Sequence, residues 1–206
     1  MIRPTLSAIV LSLSGLSLSG CVSVLPEQPR PEAVFQIGVP QSQRSLNATV
    51  VVREPDAPRL FASRAIAAEG GDGGLRIVPG IAWADRATRM LQVTMVDSFS
   101  ADGDGLAVDD ATGVSGHYEL YWRVTDFSLK GNDGYCEAQL TLMDGRSREP
   151  VEKGTVSARV SGSGNQPVAR AKALAAAGRD CVAKGADFVA DHAVARPDKD
   201  DAELEG

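Results

Sequence analysis

Residues 118–143 read YELYWRVTDFSLKGNDGYCEAQLTLM, and the periodicity of this stretch decides the fold. Leu120, Trp122 and Val124 alternate with polar neighbours, the period-two signature of a half-buried strand. The phase then breaks, because Phe127 stands on the opposite parity. A slip of one residue inside a strand predicts a bulge near Thr125-Asp126. Gly131-Asn132-Asp133-Gly134 supplies a hairpin-type turn. The chain then returns through residues 135–143, where Cys136, Ala138, Leu140 and Leu142 form an apolar face. Residues 153–161 carry a further alternation in Val156, Ala158 and Val160.

Working outward from this hairpin, Gly162-Ser163-Gly164-Asn165 leads into an Ala-rich segment, residues 167–189. Pro167 suits the first turn of a helix. Val168, Ala171, Leu174, Gly178, Cys181, Gly185 and Phe188 recur on one side of it, and the small residues imply close packing on a sheet. Upstream, residues 34–39, 47–53, 63–68 and 75–78 are short β-rich runs, the last two flanking the turn Gly70-Gly71-Asp72-Gly73-Gly74. Asp85 is placed to N-cap a helix running to about Phe99. Ala87, Met90, Leu91, Thr94, Met95 and Ser98 recur at helical spacing within it. Asp102-Gly103-Asp104-Gly105 ends that helix. The expected class is α+β: a mostly antiparallel sheet with two helices packed on one face.

The first 20 residues read differently. Arg3 gives a positive n-region, and residues 5–18 are a short apolar run of Leu, Ser and Ala. About 14 residues cannot span a bilayer that needs ~20. The segment reads as an export signal. Leu18-Ser19-Gly20-Cys21 matches a lipobox, in which small residues admit the chain to the signal peptidase and the Cys thiol accepts diacylglycerol. Cys21 is therefore the expected lipid attachment site and the N-terminus of the exported chain. Residues 22–33 contain Pro26, Pro29 and Pro31 among polar residues. Such a tether reaches roughly 35 Å at ~3.1 Å per residue. The organisation expected is a signal peptide at 1–20, a lipidated Cys and tether at 21–33, a folded domain at 34–190, and an acidic tail without periodicity at 191–206.

The sequence has 206 residues, 43% hydrophobic and 23% charged, with a formal net charge of -6. These are ordinary values for a folded domain that builds its core without a disulfide scaffold. The segment 191–206 alone has a balance of -4, with six carboxylates against Arg196 and Lys199. The body is thus nearly neutral, which argues against nucleic acid and against a polybasic membrane patch.

Two thiols remain once Cys21 is acylated. Cys136 lies on the apolar face of its strand and Cys181 on the apolar side of the last helix. Both point toward one core. A bridge between them would close a loop of about 45 residues and add ~4 kcal/mol on the chain-entropy model. Two buried free thiols, acting as small apolar residues, fit the sequence equally well.

Chemistry-bearing motifs are few. There is no Gly-x4-Gly-Lys-Ser/Thr loop, so the chain is not a transporter's ATPase. There is no Gly-x-Ser-x-Gly elbow. His117 opens a strand and His192 falls in the acidic tail, poor material for a zinc site or a triad. Residues 100–111 place Asp102, Asp104 and Gly105 at calcium-like spacing, but Ser100 and Ala111 stand where the end ligands belong. Trp83 and Trp122 read as core or interface anchors. The sequence implies no catalytic residue, no metal and no cofactor.

Three stretches together resemble the ABC-type transport auxiliary lipoproteins, the PqiC-like family. They are Ile81-Ala82-Trp83-Ala84-Asp85 before a helix with Met90-Leu91, Tyr118-Glu119-Leu120 running on to Asp126-Phe127, and the strand 138–146 ending in Asp144-Gly145. With the lipobox, the resemblance covers nearly the whole exported chain. It departs at Arg86-Ala87-Thr88, where the family often has Pro, and at Phe35-Gln36-Ile37, where the family shows Tyr-x-Leu. The resemblance implies a non-enzymatic lipoprotein anchored in the outer membrane. Its partners would be the membrane itself and the periplasmic MCE-domain protein of an ABC system that moves lipid or other apolar molecules. A homo-oligomer is compatible with it. The alternative is a structural, pilot-type outer-membrane lipoprotein that stabilises a larger machine without lipid transport.

Overall fold

A computed structural model describes residues 30–195. The lipobox Leu18, Ser19, Gly20 and Cys21, and most of the tether and acidic tail, lie outside the described residues. Among the described residues twelve elements follow one another: β1 (Ala33–Phe35), β2 (Val50–Val52), α1 (Arg59–Ala62), β3 (Ala65–Glu69), β4 (Leu75–Trp83), α2 (Ala87–Val96), β5 (Ala107–Asp109), a 3-10 turn (Asp110–Thr112), β6 (Tyr118–Lys130), β7 (Asp133–Asp144), β8 (Pro150–Val160) and α3 (Pro167–His192).

The long strand β6 organises the sheet. On one edge it pairs antiparallel with β7, which pairs antiparallel with β8. On the other edge it takes two parallel partners in turn. β2 aligns Val50–Val52 with residues 118–120, and β3 aligns residues 67–69 with 128–130. β5 continues the sheet beyond β2, and β4 and then β1 continue it beyond β3. The class is α+β as expected, but the sheet is mixed, not mostly antiparallel. Four pairings are parallel: β1 with β4, β2 with β5, and both β2 and β3 with β6. Alternation in a single strand reports which face is buried and is silent on the direction of its neighbour.

The bulge stands where the phase slip places it. Val124 pairs with Ala138 and Asp126 with Glu137, which leaves Thr125 as the extra residue. Its hydroxyl donates to the Glu137 carboxylate at 2.8 Å. The bulge restores the inward direction for Phe127 and Leu129, both buried. In β7, Cys136, Ala138, Leu140 and Leu142 all point inward.

Helix α3 lies across β7 and β8, with α2 beside it. Its buried positions include Ala171, Leu174, Gly178, Cys181 and Gly185. Pro167 occupies the first turn, as the sequence implies. The helix extends through His192, so Asp191 and His192 belong to it and not to the acidic tail. His192 Nδ1 lies 2.7 Å from the Phe188 carbonyl, with its ring against the Phe188 ring.

Helix α2 is shorter than expected and ends at Val96. Asp85 does not cap it: Arg86 is the N-cap residue, and Asp85 Oδ1 accepts only from the adjacent Arg86 N–H at 2.7 Å. The stripe of Ala87, Leu91, Thr94, Met95 and Ser98 is buried, with Met90 at its margin.

The turn at Asp102-Gly103-Asp104-Gly105 has a packing role. A β-carbon on Gly105 would stand 2.3 Å from the Ala48 nitrogen, and one on Gly103 2.3 Å from the Leu46 carbonyl. The Gly105 N–H donates to that same Leu46 carbonyl at 2.9 Å. Two glycines therefore let this turn lie directly on the backbone before β2.

Candidate functional site

A groove of about 330 Å³ opens between the segment after β1 and one flank of α2. Its wall on one side is Ile37, Gly38 and Val39, and on the other Met90, Val93 and Thr94. Ala84 and Asp85 close one end and Asp97 lies at the other. These positions follow from the helix period: residues 90, 93 and 97 fall on one side of α2, while 87, 91 and 95 face the core.

The walls are held firmly. Gly38 adopts φ 85°, a left-handed conformation that costs a side chain dearly. Its carbonyl accepts from Thr94 Oγ1 at 3.2 Å, and the Ile37 carbonyl accepts from Arg179 Nη1 at 2.6 Å. The β1 extension is thereby strapped to both long helices. Across the end, the Ala84 N–H donates to the Phe35 carbonyl at 2.8 Å. Behind this end, Trp83 is buried and stacks on Phe127.

The surface of the groove is apolar with an acidic rim. Val39 is 61% exposed and Val93 41% exposed. Asp85 and Asp97 flank them, while the cation on the rim, Arg89, is turned to Asp109 at 2.9 Å. The groove thus sets apolar side chains in water beside two carboxylates.

A second cluster lies on the outward face of β6. Glu119 accepts from Arg53 Nη2 at 2.6 Å and from Tyr121 Oη at 3.0 Å, and Arg148 closes on its other oxygen. Arg148 also donates to Tyr121 Oη at 2.8 Å, from a backbone at φ 62°. Burial pushes the Glu119 carboxyl up, but the hydrogen bonds from Arg53 and Tyr121 and the charges of Arg53 and Arg148 outweigh it and hold the group below its ordinary value. The carboxylate thus clamps β2, β6 and the β7–β8 turn together; it is not poised to exchange a proton.

The remaining residues singled out by sequence fall elsewhere. Trp122 is a core residue whose Nε1 donates to the Arg53 carbonyl at 2.7 Å. His117 Nδ1 accepts from the Thr49 N–H at 3.2 Å. Cys136 and Cys181 are both buried, and no sulfur–sulfur bond joins them in this structure. Among the described residues no group of three or more His, Cys, Asp or Glu is arranged to hold a metal ion, and no helix is long and apolar enough to cross a membrane. The groove itself was not legible in the sequence. The one signal for it was the family-like Trp83-Ala84-Asp85, which ends at its rim.

Residues 34–190 match the family described as the ABC-type transport auxiliary lipoprotein component. The chain belongs to this family. Among solved structures, protein XCC0632 from Xanthomonas campestris superposes with a TM-score of 0.66 at 20% identity, covering 84% of this chain and 98% of its own. An uncharacterised protein superposes at 0.63 and 15% identity, covering 78% and 99%. The hypothetical protein CT253 from Chlamydia trachomatis reaches 0.50 at 6% identity, covering 72% and 99%. At these identities the likeness is one of fold. No curated protein matches the sequence. The auxiliary lipoprotein is thus an accessory component of ABC-type transport, a role that differs from that of the ATPase.

Proposed function

We propose that this auxiliary lipoprotein is anchored in the outer membrane through lipid on Cys21 and serves, without catalysis, as the docking component of an MCE-type ABC system that carries lipid or other apolar molecules between membranes. The observation that carries the reading is the family match over residues 34–190, whose Trp83-Ala84-Asp85 stretch ends at the rim of an open apolar groove. The lipobox Leu18-Ser19-Gly20-Cys21 supports the anchor. Three acyl chains on one Cys, at ~0.8 kcal/mol per buried methylene, make release from the bilayer negligible. Val22 in place of Asp after the modified Cys favours the outer membrane. The proline-bearing tether then holds the domain clear of the lipid surface.

Docking by such a groove needs no reacting group. An apolar segment of the periplasmic partner would cover Val39, Met90 and Val93, and basic side chains on it would meet Asp85 and Asp97. The test is purification of the tagged full-length lipoprotein from detergent-solubilised envelopes. An MCE-domain protein with its permease and ATPase in the eluate is the expected result. Capture of a secretin or an outer-membrane barrel without any MCE protein would instead identify a pilot-type lipoprotein and overturn the transport reading.

A further inference from the structure

We propose that Cys136 and Cys181 are joined by a disulfide in the exported protein, pinning α3 to the middle of the sheet. The proposal rests on the reading that the chain is exported, since only an oxidising compartment maintains such a bond.

The register of helix on sheet brings the two together. A β-carbon on Gly134 would stand 2.4 Å from the Leu174 Cα, and one on Gly178 would stand 3.1 Å from the ring of Phe127, the partner of Cys136 on β6. One on Gly185 would lie 3.7 Å from Leu140. The helix therefore tracks along β7 from residue 134 toward residue 140, and Cys181 comes down between its ends. Cys181 Sγ lies 3.8 Å from the Val156 carbonyl, and Val156 pairs with Ala138, the next inward residue after Cys136. Both thiols are buried, at 1% and 2% exposure. Burial pushes the Cys136 thiol up first, and the neighbouring Cys181 adds to the shift.

Close approach is what a bridge demands. Disulfide-linked Cα atoms usually lie about 4.4–6.8 Å apart, closer than a helix with large side chains sits on a sheet. Gly178 and Gly185 flank Cys181 on the buried side, and Gly134 removes a side chain from the strand below. The small-residue stripe thus gives the sulfurs their proximity.

The reaction is an exchange with a disulfide-bearing oxidoreductase of the envelope. Each thiol loses a proton, one sulfur–sulfur bond forms, and two electrons reduce the oxidant's disulfide to a dithiol. Burial forces the order of events. The thiols are accessible only before α3 docks, so the bond forms during folding.

The test counts reactive thiols in the full-length protein purified from envelopes. It is denatured in excess maleimide, with and without prior reduction, and its intact mass is measured. The expected result is no adduct before reduction and two after it, because a lipidated Cys21 is a thioether and does not react. Cys136→Ala should show one adduct without reduction. Two adducts on the unreduced, lipidated protein would overturn the bridge. Three adducts together with an intact leader would mean that export has failed, a distinct outcome. That protein refolded in oxidised glutathione then decides the pairing: a bridged product upholds it, and two persistent free thiols at positions 136 and 181 refute it.

Discussion

Trp83 and Phe127 stack with ring centroids 5.3 Å apart and 13° between their planes. The pair joins two of the stretches on which the family resemblance rests. Trp83 ends β4 and Phe127 follows the bulge in β6, with β3 between those strands in the sheet. Were Thr125 paired in a regular ladder and not bulged out, Phe127 would project to the other face. Trp83→Ala is expected to cost about 3–5 kcal/mol, the range for deleting a large buried aromatic. Denaturant unfolding measures it. A double-mutant cycle with Phe127→Leu should return a coupling of about 0.5–1.5 kcal/mol. A cost below about 1 kcal/mol for Trp83→Ala would show that the stack does not hold β4 in place.

Glycines under α3 separate into those that meet backbone and those that meet a flexible tip. A β-carbon on Gly134 would stand 2.3 Å from the Ala173 carbonyl oxygen, which cannot move without the helix. Gly134→Ala should therefore destabilise by about 1–3 kcal/mol or more, the usual cost of overpacking. On Gly185 the nearest atom is the Met95 methyl at 2.7 Å. Met95 is unbranched and can swing away, while alanine gains about 0.5–1 kcal/mol of helix propensity over glycine. Gly185→Ala is expected to change stability by less than about 1 kcal/mol on that balance. Melting curves of the two variants test the contrast, and equal losses would contradict it.

The Glu119 clamp makes stability depend on acid. Its carboxyl is held below the ordinary value in the folded state, against burial, by Arg53, Tyr121 and Arg148. The unfolded chain therefore takes up a proton first as pH falls. The clamp's contribution is complete above the unfolded carboxylate value of about 4.3, and is lost as pH drops through the depressed folded value. Unfolding free energy measured from pH 7 down to pH 3 should fall for the natural sequence. Glu119→Gln should be less stable at neutral pH and show a shallower acid limb. An unchanged limb would remove Glu119 from the account.

The groove is tested by charge on its exposed wall. Val93→Glu leaves the core side of α2 untouched, since Val93 is 41% exposed. Its melting temperature should stay within about 2 °C, as for surface substitutions worth under ~0.5 kcal/mol. Capture of the partner assembly should drop at least tenfold, because burying a charged group where the partner presents apolar side chains costs more than ~1.4 kcal/mol, one decade of affinity. Full capture with a folded domain would move the docking face elsewhere.

Much of this fold was legible because side-chain direction follows elementary periods. The inward face of β7, the bulge at Thr125, the turn after Lys130 and the long helix behind Pro167 could all be read from parity and turn chemistry. The parallel pairing of β2 and β3 with β6 could not, since a strand of three residues such as Val50–Val52 has the same pattern whichever way its neighbour runs. α1 and β5, of four and three residues, are too short to show a period. Asp85 resembled a cap by type, yet α2 begins only beyond Arg86, so its carboxylate does not reach the first free N–H groups of the helix. The groove escaped because Val39 and Val93 are 54 residues apart and meet only when Gly38 turns and Thr94 holds it.

In the proposed function every step begins with where the chain is fixed, and that proposal rests on lipid at Cys21. The most direct measurement is the intact mass of the protein extracted from isolated outer membranes. The account predicts a chain beginning at Cys21 and heavier than its sequence by a diacylglyceryl group and one further acyl chain, and predicts that Cys21→Ala is absent from that fraction. A protein with residues 1–20 still attached, or with an unmodified Cys21 recovered from the soluble fraction, would contradict it.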